Sequence, residues 1–195
     1  NLLRKAGYHV QAEYYINDAG NQMDNLAASV NARYLELLGY PSEIPENGYH
    51  GHDIVETAQA IIDQDGDAYL SMAEPERLAY FKDRAYAEKL KALRQDLAAF
   101  NVHYDNWFSE RTLHPDAIRA ACDELKKRGK AYEKDGALWL KSTDYGDDKD
   151  RVIIRDNGVP TYLAADIAYH KNKYERGFKK MINIWGADHH GYVAR

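Results

Sequence analysis

Tyr162 and Asp166 stand four residues apart, a spacing that puts both on one face if the stretch is helical. Together they have the chemistry to hold a planar cation. The carboxylate can accept the parallel donors of a guanidinium, and the phenol can stack on its plane or hydrogen-bond to it. Further on, Gly186-Ala187-Asp188-His189-His190-Gly191 follows the apolar run Met181-Ile182-Asn183-Ile184-Trp185. Beyond the carboxyl end of a buried parallel strand, that string suits a nucleoside. Gly186 would let a flat base or ribose approach the backbone. Asp188 could accept ribose hydroxyls, and the imidazoles could hydrogen-bond or stack. A third string, Asn17-Asp18-Ala19-Gly20-Asn21-Gln22, places amides and a carboxylate at a strand-to-helix turn. Each string also has a plainly structural reading. Asp166 suits a first-turn carboxylate stabilised by the helix dipole, Gly186 a turn that ends a strand, and Asn17 or Asp18 an N-cap.

The elements that must position these residues follow from periodicity. Asn1 to Ala6 read as the last turns of a helix stopped at Gly7, which suggests a piece of a longer chain. Tyr8 to Ile16 reads as a strand. Met23, Leu26, Ala27, Val30, Tyr34 and Leu38 predict a helix stopped at Gly39. This helix–strand–turn–helix start predicts an α/β fold with a Rossmann-like, doubly wound parallel sheet. After a loop from Pro41 to Gly51, Asp53 could cap a helix carrying Ile54, Val55, Ala58, Ile61 and Ile62, with Glu56 completing a capping box. A long helix is predicted over 75–100, with Leu78, Phe81, Ala85, Leu90, Leu93, Leu97 and Phe100 inward. A strand over 102–108 and a helix from Pro115 to Gly129 follow. Lys134-Asp135-Gly136 and Asp156-Asn157-Gly158 signal two hairpins, with Pro160 suited to an edge. A short helix over 164–174, a buried parallel strand over 181–185 and a helix opening at Gly186 complete the pattern. The simplest organisation is an α/β domain interrupted by a mixed α+β insertion.

Taken in order, Tyr15-Ile16-Asn17-Asp18-Ala19-Gly20-Asn21-Gln22, Tyr162-Leu163-Ala164-Ala165-Asp166-Ile167-Ala168-Tyr169 and Trp185-Gly186-Ala187-Asp188-His189-His190-Gly191 resemble the middle of the bacterial-type arginyl-tRNA synthetases, a class I family. The resemblance covers roughly residues 1–40 and 150–195 well and the middle more loosely. It implies a first part of the catalytic domain at 1–40, an insertion at 41–150 and a return to the catalytic domain at 151–195. It also implies that Tyr162 and Asp166 hold the arginine guanidinium, with His190 at a nearby position where some members carry glutamine. Asn17 and Gln22 would lie at the rim, and Gly186, Asp188 and His189 would take the ATP adenosine. A parent of this kind would join L-arginine to tRNA(Arg) at the expense of ATP, with Mg2+ accompanying the nucleotide and tRNA needed for activation. Members stabilise the reacting α-phosphate with a His-x-Gly-His element and a Lys-Met-Ser-Lys-Ser-like loop. Neither occurs in these 195 residues, so no catalytic residue is assigned and the piece by itself is expected to be inactive. Two rivals stay open: a non-catalytic module binding RNA or a partner through the tyrosine-rich insertion, and another nucleotidyl transferase on the same fold.

Composition narrows the field further. The net charge of −5 argues against a general nucleic-acid coat, although Lys126-Lys127-Arg128-Gly129-Lys130 and Arg176-Gly177-Phe178-Lys179-Lys180 are locally basic. Sixteen tyrosines against four phenylalanines suggest wet clefts more than a dry aromatic core. Cys122 is the single cysteine, so no internal disulfide can form, and a cytoplasmic, monomeric protein is expected. Its neighbours Ile118, Ala121 and Leu125 suit a small core residue. No apolar run approaches the ~20 residues that cross a bilayer. Asp63, Asp65, Asp67 and Glu74 resemble a calcium loop, but Gly66 falls at the fourth position instead of the sixth. His50, His52, His189 and His190 match no zinc spacing. No metal ligand is therefore assigned.

Overall fold

The computed structural model describes residues 1–193. Helices and strands are mixed along the chain, which divides into two compact units, Asn1–Phe108 and Ser109–Arg195.

The first unit contains α1 (Leu2–Lys5), β1 (Glu13–Ile16), α2 (Asn21–Leu37), α3 (His52–Asp65), α4 (Glu74–Ala99) and β2 (Asn106–Ser109). The helical spacing of Val30 and Tyr34 on α2, Ile54, Ala58 and Ile61 on α3, and Phe81 and Ala85 on α4 joins them in one buried cluster. Tyr34 can be buried there because its hydroxyl donates to the Gly66 carbonyl at 3.0 Å. The Phe81 ring meets Tyr34 edge-on, with centroids 5.0 Å apart. Arg77, also buried, donates from Nε to Asn31 Oδ1 at 2.7 Å and from Nη1 to the Met72 carbonyl at 3.2 Å. β1 and β2 are neighbours in a two-stranded sheet. Next to it, the Asp105 carboxylate accepts the Ala12 amide at 2.7 Å and pairs with Arg4.

Two expectations for this unit are corrected. Gly51, not Asp53, is the N-cap of α3; Asp53 lies in the first turn and pairs with Lys89 at 2.6 Å. The hydrogen bond from Lys89 holds the Asp53 carboxyl below its ordinary range. On α4, Phe81 and Ala85 are buried, but Leu90, Leu93 and Leu97 are half-buried and Phe100 is 84% exposed. The reason is length. At 1.5 Å per residue, the 26 residues of α4 span about 39 Å, against about 26 Å for the 17 of α2. The apolar stripe continues past the helices that could cover it.

The second unit contains α5 (Asp116–Lys127), β3 (Ala131–Lys134), β4 (Ala137–Leu140), β5 (Arg151–Ile154) and α6 (Tyr162–Glu175). Asp135 and Gly136, both at positive φ, close a two-residue hairpin between β3 and β4. The sheet order is β3-β4-β5 with antiparallel pairs. Leu138 pairs with Ile154 and Trp139 with Val152, so Ile153 has no partner on β4 and the ladder is irregular there. On the other side of β5, the Ile153 carbonyl accepts the Thr161 amide at 2.9 Å, a bond of the short bridge between Ile154 and Pro160, while the Thr161 hydroxyl reaches the Val152 carbonyl at 3.0 Å. Thr161 is the N-cap of α6, yet its hydroxyl makes no cap bond because it is turned to β5. Ala164, Ala165 and Ala168 form the buried face of α6, and their small size lets α6 lie close to α5.

The second unit brings its own corrections. α6 begins at Tyr162, two residues earlier than expected, so the second hairpin strand shrinks to a single bridge between Ile154 and Pro160. Residues 181–185 form no strand. A strand needs a neighbour for its backbone groups, and none pairs with this stretch among the described residues; Ile184 is 92% exposed. The helix expected at Gly186 is a 3-10 turn over Ala187–Tyr192.

Phe81→Ala should therefore lower unfolding stability by about 3–5 kcal/mol, while Phe100→Ala should stay within about 0.5 kcal/mol. Urea unfolding of both variants checks this, and equal losses would contradict the placement.

Candidate functional site

Tyr162 is the first residue of α6 and is 60% exposed. Asp166, one turn later and on the same face, is half-buried. Among the described residues its carboxylate accepts no hydrogen bond. Burial pushes the Asp166 carboxyl above the ordinary range; His170 opposes this, Glu110 adds to it by like charge, and Lys173 and His189 oppose it. Glu110 opens the 3-10 turn Glu110–Leu113 and is itself buried, 3.3 Å from His114 Nε2. The site thus concentrates negative charge partly out of water, with no donor on the Asp166 oxygens. That arrangement favours a cation able to offer several N–H groups at once.

Gly186, the N-cap of the 3-10 turn, has an extended backbone. A Cβ there would collide with the Asp188 carboxylate, so the Asp188 side chain lies back over the glycine. Asp188 Oδ2 is 3.5 Å from His189 Nε2, and the His189 ring neighbours Trp185 and Tyr192, with centroids at 6.4 and 5.8 Å. Gly186, Asp188, His189 and His190 are all exposed. Of the residues expected to line a pocket, Asp166 and His189 share one electrostatic neighbourhood. The His190 side chain makes no hydrogen bond among the described residues.

Asn17 and Gln22 belong to the first unit. Both are exposed, and Asn17 Nδ2 donates to Gln22 Oε1 at 3.3 Å. The N-cap of α2 is Gly20, so neither Asn17 nor Asp18 caps it. Asp18 is instead buried and accepts the Tyr86 hydroxyl at 2.9 Å.

A family model described as tRNA synthetases class I (R), catalytic domain, matches residues 1–194. The chain belongs to the class I arginyl-tRNA synthetase catalytic-domain family. The arginine–tRNA ligase of Carboxydothermus hydrogenoformans is 55% identical over 196 residues, which cover 100% of this chain and 35% of that protein. Arginine–tRNA ligase 1 of Halalkalibacterium halodurans is 50% identical over the same shares. The chain thus spans about a third of the length of these curated relatives. A solved structure assigned as an arginyl-tRNA synthetase from Campylobacter jejuni aligns with 99% of this chain and 42% of its own, at TM-score 0.88 and 42% identity. An arginyl-tRNA synthetase from Plasmodium falciparum aligns at TM-score 0.59 over 88% of this chain and 29% of its own; at 11% identity that likeness is one of fold.

In this arginyl-tRNA synthetase family chain, sequence reasoning missed Glu110 and His170. His170 lies four residues after Asp166, so the rule that found Tyr162 could have found it. Glu110 carried no periodic signal, and its approach to Asp166 is tertiary. Other candidates are accounted for by local pairing. Lys126 bonds Glu133 at 2.6 Å, Arg128 bonds Glu124 at 2.7 Å, and Lys130 lies 3.4 Å from Asp144. Burial pushes the Cys122 thiol up to about 11, away from thiolate chemistry. Asp65 accepts the Tyr69 hydroxyl at 2.8 Å and Asp63 the Gln59 amide at 2.8 Å. Among the described residues no group of three His, Cys, Asp or Glu could hold a metal ion, and no helix is long and apolar enough to cross a membrane.

Asp166 has a consequence for stability. Because its folded pKa is raised, its stabilising contribution is complete below the unfolded value, about 3.9, and is lost as pH rises through the folded value. Asp166→Asn should therefore be more stable than the parent at neutral pH, by about 0.5–2 kcal/mol, with the gap closing in acid. Urea midpoints across that range check this, and parallel pH curves would contradict it.

Proposed function

We propose that the chain is part of the catalytic domain of an arginyl-tRNA synthetase whose parent activates L-arginine with ATP and transfers it to tRNA(Arg). The observation that carries the reading is the half-buried Asp166 carboxylate, without a hydrogen-bond donor and in the field of buried Glu110. A guanidinium would supply the missing donors and the missing positive charge in one planar group, and Tyr162 would stack on or bond to it. Lysine carries the charge but not the fork. Citrulline keeps the shape but leaves the carboxylates uncompensated. Charge is thus the main discriminator in this pocket. His190 would stand nearby.

In the same reading Gly186, Asp188 and His189 take the ATP adenosine, on a Rossmann-like domain made of residues 1–40 and 151–195 with 41–150 inserted. Mg2+ would arrive on the ATP phosphates. The family assignment supports ATP, arginine and tRNA as partners, and the parent would be a monomeric, cytoplasmic enzyme. The 195 residues contain no His-x-Gly-His or Lys-Met-Ser-Lys-Ser-like element to stabilise charge at the α-phosphate. The chain alone therefore binds without charging tRNA. A non-catalytic RNA-binding module is the weaker reading, because the basic stretch at 126–130 is largely paired with its own carboxylates.

Titration of the isotope-labelled chain with L-arginine should shift signals near Tyr162 and His189. Asp166→Asn should weaken the affinity roughly 30-fold or more, and citrulline should bind as poorly to the parent as arginine does to the variant. Equal binding of arginine and citrulline would sink the assignment.

A further inference from the structure

Residues 179–185 lead into Gly186, yet they have no strand neighbour and their backbone makes no hydrogen bond among the described residues. Ile182, Ile184 and Trp185 are exposed, so apolar packing does little to hold the stretch. Its polar ties converge on one side chain, Asn183. Asn183 Oδ1 accepts Lys173 Nζ at 3.2 Å, and Asn183 Nδ2 lies 3.1 Å from His170 Nε2. His170 Nδ1 lies 2.8 Å from the Asp166 main-chain carbonyl.

These contacts specify where each proton sits. A carbonyl only accepts, so Nδ1 of His170 carries the hydrogen and the neutral ring leaves Nε2 as an acceptor. Lysine only donates, so Asn183 must turn Oδ1 toward Lys173 and Nδ2 toward His170. The two constraints arise at opposite ends of the chain of bonds and agree on one tautomer. The Lys173 ammonium sits 4.3 Å from the centroid of the Tyr169 ring, which holds it on the same helix.

We propose that His170 is a positioning residue: its neutral, Nδ1-protonated ring latches Asn183 to α6 and so fixes the segment that presents Gly186, Asp188 and His189. The role rests on the reading of those three residues as the adenosine site. Asp166 then acts twice, with its carboxylate toward the guanidinium and its carbonyl toward the latch. One helix turn thereby ties the placement of the two small substrates to each other.

The test uses the labelled 195-residue chain and its variants Asn183→Ala and His170→Phe. Long-range nitrogen–proton spectra should show His170 protonated at Nδ1 and bare at Nε2. Backbone relaxation should show residues 181–186 ordered in the parent and loosened in both variants, while the α5–β3–β4 signals stay in place. ATP titrations should give about tenfold weaker binding in each variant, the size expected for one lost hydrogen bond. A His170 ring protonated at Nε2 alone, or a segment equally ordered without Asn183, would overturn the latch. A loosened segment with unchanged ATP affinity would overturn the positioning role. Failure of the parent chain to bind ATP would overturn the adenosine reading and that role together, while the tautomer and relaxation would still report on the latch.

Discussion

The start of α6 depends on the two hydrogen bonds that Thr161 makes to β5. Thr161 bonds the Ile153 carbonyl of β5 with its amide while its hydroxyl reaches the Val152 carbonyl. These two bonds tie the residue before α6 to the β5 backbone. Because the anchor sits immediately before Tyr162, it sets the rotation of the whole helix. That rotation turns Ala164, Ala165 and Ala168 inward and leaves Tyr162 and Asp166 at the margin of the buried face. The chemistry proposed for the site follows from where that margin falls.

The margin also carries a group that is unfavourable for folding. Asp166 is partly removed from water, faces the field of buried Glu110, and receives no donor on its carboxylate. A residue selected for stability alone would be neutral here. The cost makes sense if a ligand completes the electrostatics, which is the usual reason for strained charge in a binding site. Lys126 and Arg128 near the end of α5 show the opposite design, since both have a carboxylate within reach.

Much of this was legible in the sequence, for local reasons. Helical spacing located α2, α3, α5 and α6 to within a few residues, and Asp135-Gly136 specified a hairpin because both residues must adopt positive φ. The pairing of Tyr162 with Asp166 on one face followed from the helical repeat alone. What failed was whatever depended on neighbours. Residues 181–185 have the composition of a buried strand, but composition cannot supply the adjacent strand that a ladder requires. The distal leucines of α4 keep the right period, but the helices that would cover them are too short. Glu110 was illegible for the same reason, as its meaning comes from the charge it approaches in space.

The resting position of Asp188 sets how a group can approach Gly186 from the side where a Cβ would stand. The carboxylate lies where a side chain at 186 would begin, so the glycine surface is free of a Cβ without being open. A flat group seated against that side of the backbone has to swing the carboxylate aside. The displaced oxygens then stay within reach of whatever hydroxyls the incoming group carries. In the proposed adenosine site, entry and recognition would thus be one torsional event about a single side chain, and a ligand that lacks hydroxyls would move the carboxylate but receive nothing from it.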